Sequence, residues 1–216
     1  MAVTLYILYP LSLRNVEDLL FARGIDISYE TVRYWWGRFG PMFAAEVRRQ
    51  RLGRMRGRRH FRWHLDEMYV KINGETHYLW RAVDHEGEVL ESYVTKKRDK
   101  AAALTFMKKA LKRHGRVNKI VTDGLKSYPA AMRELGNIDR QEMGRWANNR
   151  VENSHLPFRR RERAMLRFRQ MKSLQKFASV HHSFYNHFNS QRHLVSRQVY
   201  KDMRSEALAE WQSLMA

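Results

Sequence analysis

Lys and Arg outnumber Asp and Glu in this chain by 41 to 22, so an acid that ends an apolar run or borders a basic one is the first place to look for chemistry. Asp123 closes "NKIVTD", and Gly124 lets the backbone turn sharply just after it. Asp66 lies in "HFRWHLDEMYVKI". If that stretch is a strand, Asp66 shares a face with Met68, Val70 and Ile72, and Glu67 shares the other with Phe61, Trp63 and Leu65. Glu152 stands in "NNRVENSHLPF", and six arginines follow within residues 159 to 169. An ionised carboxylate in line with apolar side chains is costly unless a cation pairs it. Were Asp66, Asp123 and Glu152 to meet at one point, their mutual repulsion would be relieved by a hard divalent cation such as Mg²⁺, with Mn²⁺ able to substitute. Two such ions about 3.5–4 Å apart suit an in-line phosphoryl displacement, activating the attacking oxygen and stabilising the leaving one. Taken singly, each acid is equally what an Asx turn or a salt bridge requires. Only their joint placement points to a metal.

The elements that must position these acids are legible in the periodicity. "HFRWHLDEMYVKI" and "ETHYLWRAVD" alternate around Asn73-Gly74, the strongest short hairpin signal, and "EVLESYVTKK" after Gly87 adds a third antiparallel strand. Residues 99–114 predict a helix with Leu104, Met107 and Leu111 inward, and "RVNKIVTD" then returns as a strand parallel to the first. Helices are expected over 125–135 and, mostly, from about Asn149 to His187. Three strands, a crossover helix, a parallel strand and further helices is the order of the ribonuclease-H-like fold, an α/β class with a mixed five-stranded sheet flanked by helices.

Ahead of it, residues 12–24 form a short amphipathic helix stopped by Gly24, and a second helix starts after Ser28 and ends at Gly40 and Pro41. Together they make a helix-turn-helix, read as a separate unit, with Tyr29, Arg33 and Tyr34 where a recognition helix reaches DNA. A plain helical hairpin with core aromatics fits the same pattern. Residues 46–59 read as a solvated basic linker whose Arg48, Arg49, Arg54, Arg58 and Arg59 could lie along phosphates. Arg159, Arg160, Arg161, Arg163 and Arg167 form the second phosphate-gripping set. The domains are thus 1–45, a helix-turn-helix; 46–59, the linker; 60–190, the catalytic domain; and 191–216, a helical tail.

The +19 charge makes nucleic acid the leading partner. The apolar opening lacks the features of a signal peptide, and no apolar run approaches the length that spans a bilayer, so no membrane partner is expected. Zero cysteines exclude disulfides and thiolate metal sites and suit a cytoplasmic protein. His181, His182 and His187 are spaced poorly for joint ligation, and the Met and Phe residues of 165–188 read as core. No glycine-rich phosphate loop or Ser/His/Asp arrangement competes with the carboxylates.

"DEMYVKINGETHYLWRAVDHEGEVLE", "TDGLKSYPAA" and "NNRVENSHLPFRRRERAMLRF" resemble the bacterial DDE transposases of the insertion-sequence-six family over nearly the whole chain. The resemblance implies a helix-turn-helix that binds terminal inverted repeats and a Mg²⁺-binding catalytic triad of Asp66, Asp123 and Glu152. It implies strand cleavage at the element's ends and transfer of the 3′ hydroxyl into target DNA, by a replicative route that leaves a cointegrate. Double-stranded DNA, both repeat and target, would be the partner of a homo-oligomer in the bacterial cytoplasm, associated with the nucleoid. The 28 residues between Asp123 and Glu152 are fewer than most of the family has, which keeps Glu142 and Glu162 as alternatives. The chain reads as starting inside the first helix of the helix-turn-helix region. A catalytically silent DNA-binding relic or repressor is the competing reading.

Overall fold

The computed structural model describes residues 1–55, 62–144, 149–166, 168–188 and 195–213, without the side chains of 51–55 and Arg150. Strands β1 (Arg62–Ile72), β2 (Glu75–Asp84) and β3 (Val89–Thr95) form the antiparallel meander. Asn73 and Gly74 both have positive φ, 51° and 85°, as the tight turn that matches strand twist demands. Helix α4 (Lys100–His114), N-capped by Asp99, carries the chain across to β4 (Lys119–Thr122), which pairs in parallel with β1; β5 (Gln141–Met143) adds a parallel edge. The strand order is β3-β2-β1-β4-β5, the expected ribonuclease-H-like arrangement. Leu65 pairs with Thr122, so Asp66 and Asp123 stand level where β4 ends.

One face of the sheet is covered by α4 and α5 (Ser127–Glu134) around Trp63, Leu65, Trp80 and Tyr128. The inward face of α4 differs from expectation: Ala103, Phe106 and Ala110 are deeply buried beside Met107, whereas Leu104 and Leu111 are only partly covered. Small residues let α4 approach the large tryptophans of the sheet.

The other face carries the remaining α-helices among the described residues. Met68, Val70, Ile72 and Leu79 pack against α6 (Asn149–Ala164) and α7 (Met171–Phe188), which supply Phe158, Phe177 and Phe184. Helices α1 (Ala2–Leu8), α2 (Leu13–Phe21) and α3 (Tyr29–Met55) join this core through Tyr6, Ile7, Val16, Leu20, Val32, Ala44 and Val47. The N-terminal helices are therefore not a separate unit. Helix α8 (Arg197–Ser213) seats Trp211 against Phe43 and Phe184, with ring centroids 4.9 and 4.6 Å away.

Helix α3 also overruns its expected end, and residues 46–55 continue it instead of forming a linker. Proline at 41 has no N–H for the carbonyl of Gly37, an interruption that normally kinks or ends a helix. Lys176 of α7 supplies the missing donor, its Nζ 2.7 Å from that oxygen. Gly40 permits the crossing, since a Cβ there would lie 3.2 Å from Trp36 and 3.5 Å from Val180. Among the described residues, no helix is long and apolar enough to cross a membrane.

Candidate active site

One carboxylate oxygen from each of Asp66, Glu67 and Asp123 falls within 4.8 Å of the others at the end of β4. The three are not equivalent. Glu67, on the α4/α5 side, is spoken for: its Oε1 accepts from Arg98, and its Oε2 accepts from the buried Tyr128 hydroxyl at 3.0 Å. Arg98 also stands 3.7 Å from Asp123 Oδ2. Asp123 Oδ1 accepts from the Leu125 amide at 3.0 Å, so the Asx turn and the carboxylate cluster coexist in one residue. Its side chain is 37% exposed.

Asp66 is the anomalous group. Its side chain is 14% exposed, and burial first, then the charges of Glu67, Asp123 and Glu152, push its pKa up to about 7. It is a buried acid facing three others.

Helix α6 is fixed over this point by Arg81, the cross-strand partner of Asp66 on β2. Arg81 is fully buried and donates from Nη1 to the Ser154 carbonyl at 2.6 Å; burial pulls its pKa down to about 10. That bond sets the helix on which Glu152 and His155 are one turn apart. Glu152 is exposed, lies outside the tight carboxylate cluster, and is close enough to act on Asp66. His155 Nδ1 lies 3.8 Å from Asp66 Oδ2, beyond hydrogen-bond range. Burial and the nearby Arg81 and Arg159 push His155 down to about 3, so the imidazole stands neutral beside Asp66. The alternative acids are engaged elsewhere: Glu142 pairs with Arg62 at 3.1 Å and Lys119 at 3.6 Å, and buried Glu162 pairs with Arg159 at 2.7 Å.

Arg81, Arg98, Tyr128 and His155 carry no signal in local sequence, because each acquires its role through a partner far along the chain. The pattern of β2 holds one clue, since Arg81 interrupts the buried apolar run of Leu79, Trp80, Ala82 and Val83.

The arginines divide more sharply than expected. Arg161 is fully buried, donates to the Leu11 carbonyl at 2.9 Å and stacks over Tyr6 and Phe177; it ties α6 to the N-terminal helices and is not available to phosphate. Arg48 is half-buried and held by Ser179 and Ser183 of α7, again as a structural anchor. Arg160 and Arg163 are exposed, and Arg159 is half-buried against Glu162. On α3, Arg49 pairs with Glu46, Arg33 pairs with Glu30, Tyr34 is 59% exposed, and Tyr29 lies between Arg14 and Arg33. The side chain of Arg54, and Arg58, Arg59 and Arg167 altogether, lie outside the described residues.

Residues 60–191 match the model of a DDE domain, the transposase domain named for its acidic triad. The transposase of insertion sequence element IS257 in transposon Tn4003 of Staphylococcus aureus is 30% identical over 159 residues, covering 71% of this chain and 69% of that one. The chain belongs to the DDE transposases of the insertion-sequence-six family. The same match extends to the IS431mec transposase of S. aureus, 30% identical over 159 residues, and to an uncharacterized protein of Methanocaldococcus jannaschii, 31% identical over 171 residues, covering 79% of this chain and 74% of that one. Among solved structures, the magnesium-bound HTLV-2 integrase catalytic core resembles 59% of this chain and 85% of its own at 15% identity, TM-score 0.46. The BIV integrase core gives 70% and 99% coverage at 15% identity, TM-score 0.43. The fold assignment stands on strand order and register instead. Membership of this transposase family makes the chain an enzyme of the polynucleotidyl transferase and endonuclease class.

Proposed function

We propose that this DDE transposase binds the terminal inverted repeats of an insertion sequence, cleaves the strand at each end and joins the freed 3′ hydroxyl to target DNA, replicatively. The observation that carries this reading is the level placement of Asp66 and Asp123 at the end of β4, with Glu152 acting on Asp66 from α6. Asp66, Asp123 and Glu152 would hold Mg²⁺. The donor set fits, being three hard oxygen donors, among which Asp66 is pushed up to about 7 by burial first and then by the charges of the neighbouring acids. When bound, the metal supplies charge neutralisation for the attacking and leaving oxygens. Glu67 is excluded from the triad because Arg98 and Tyr128 use both its oxygens.

In the first step a water oxygen attacks the phosphorus at the element end and the P–O3′ bond breaks, freeing the 3′ hydroxyl. In the second, that hydroxyl attacks a target phosphodiester, forming a new P–O3′ bond and releasing a target 3′ hydroxyl. Neutral His155 covers one side of Asp66 and takes no charge from it, leaving the carboxylate for the cation. Exposed Arg160 and Arg163 grip the backbone, and the exposed end of α3, with Tyr34 and Arg33, reads the repeat. Joining two ends calls for a homo-oligomer, and such DNA is met in the bacterial cytoplasm at the nucleoid.

The test is strand cleavage and transfer on a duplex bearing the repeat, in Mg²⁺ or EDTA. Metal-dependent nicking with cointegrate products is expected. Repeat binding without nicking in Mg²⁺ or Mn²⁺ would overturn the reading in favour of a silent DNA-binding protein.

A further inference from the structure

Strand β4 pairs with β1 only along Arg62–Leu65, so from Asp66 onward this edge of β1 runs on without a ladder neighbour among the described residues, save one bridge between Ile72 and Phe168. Along this edge lies an open cleft of about 810 Å³, lined by Tyr69, Lys71, Arg159, Glu162, Arg163 and Leu166. Its formal charge is positive, and it adjoins the acids through Arg98, which contacts Glu67 and Asp123 on one side and the Tyr69 ring and hydroxyl on the other. Tyr69 stands three residue rises along the strand from Asp66, about 10 Å, or about three base-pair steps of B-DNA.

Two side chains in this cleft are apolar surface where none is needed for packing. Tyr69 is 53% exposed, and Leu166 is 87% exposed. Leu166 occupies the position just past α6 with φ 55°, left-handed backbone that glycine adopts freely and leucine does not. The turn is pinned on its far side by the bridge from buried Phe168 to Ile72 and by the Asn73 amide, which donates to the Arg169 carbonyl at 2.9 Å. A strained backbone thus holds a bare leucine at the mouth of a basic cleft beside an exposed tyrosine. Proteins that kink duplexes insert such apolar wedges between base steps, and unstacked bases settle on aromatic rings while basic side chains hold the phosphates.

We infer that this cleft receives an unpaired nucleotide of the DNA about three steps from the scissile phosphate, with Leu166 as the wedge that opens the base step and Tyr69 as the platform for the freed base. Lys71, Arg159 and Arg163 hold its phosphates. The inference rests on the transposase reading, because the scissile phosphate is placed by the acids.

The test uses the full chain and a repeat-bearing duplex with 2-aminopurine about three nucleotides from the scissile position. Fluorescence on binding is read in EDTA, and cleavage in Mg²⁺ is read on the paired duplex and on one mismatched at that step. Wild type should raise the fluorescence about twofold or more, and Leu166→Ala should not, since a kink unstacks the step it enters. Leu166→Ala should cut the paired duplex about tenfold more slowly and the mismatched one within about twofold of wild type, as stacking and unstacking energies per base imply. Tyr69→Phe should retain wild-type behaviour and Tyr69→Ala should lose it. The inference is overturned if Leu166→Ala raises the fluorescence as wild type does, if its deficit is equal on both substrates, or if it instead lowers the oligomer mass. Absence of cleavage by wild type on both substrates would count against the transposase reading, while the fluorescence still decides the wedge.

Discussion

Asp66 and Glu67 are neighbours on one strand, yet they face opposite sides of the sheet and live in different chemistry. On the α4/α5 side, Glu67 is buried and complete, with Arg98 on one oxygen and Tyr128 on the other. On the α6 side, Asp66 is nearly as buried and faces a neutral histidine and the charges of three acids. Burial raises the pKa of both, but in Glu67 the Arg98 charge opposes it. The difference teaches that a buried carboxylate held by a cation and a hydroxyl is part of the architecture, and one crowded by other acids is a place where a cation belongs.

The comparison is broken most severely through catalysis. Asp66→Asn or Asp123→Asn should lower strand cleavage by about 10³ or more while repeat affinity stays within about threefold, because neutralising a donor removes metal-assisted charge stabilisation. Retained cleavage in either variant, read on a sequencing gel, would remove that residue from the triad.

Stability separates the two acids in opposite directions. Glu67→Gln should cost about 3 kcal/mol in denaturant unfolding, since it strips a buried partner from Arg98 and Tyr128. Asp66 should do the reverse in EDTA. Its folded pKa of about 7 lies above the unfolded value of 3.8, so the folded state holds the proton more tightly. The metal-free protein therefore loses stability as pH rises from about 4 through about 7, by up to about 4 kcal/mol, and the loss is complete above that window. Asp66→Asn should flatten this profile and be the more stable protein at pH 8. An unchanged profile would show that Asp66 is ordinary.

The smallest effects distinguish arginines within a single turn of helix. Arg161→Ala should destabilise the fold by about 2 kcal/mol, because it leaves the Leu11 carbonyl without its donor and opens space against Tyr6. Its DNA salt dependence should not change. Arg160→Ala and Arg163→Ala should alter stability by less than about 0.5 kcal/mol and reduce the salt slope by about one each. Equal behaviour of all three would erase the distinction between anchor and phosphate contact.

Much of the sheet could be read along the chain, because alternation, the Asn73-Gly74 turn and the crossover before β4 are local signals with single structural solutions. They also brought Asp66 level with Asp123. What local signals could not supply were long-range substitutions for rules that hold only locally. Gly40-Pro41 is a stop, until Lys176 caps the carbonyl that proline abandons. Arg161 looks like its neighbours in an arginine run, until the rotation of α6 turns it into the core. Glu152 was an expectation from its setting in the sequence, and its influence on Asp66 comes through α6, which Arg81 holds at Ser154. The network around Glu67 joins residues 31 and 61 positions away and had no local trace.

The most direct test of the account is Mn²⁺ binding, followed by calorimetry at pH 8, to wild type, Glu152→Gln and Glu67→Gln. If Asp66, Asp123 and Glu152 form the metal site, Glu152→Gln weakens binding about tenfold or more and Glu67→Gln leaves it within about threefold, as loss or retention of one charged ligand requires. Metal affinity lost in Glu67→Gln and kept in Glu152→Gln would contradict the account and move the site to the other face of the strand.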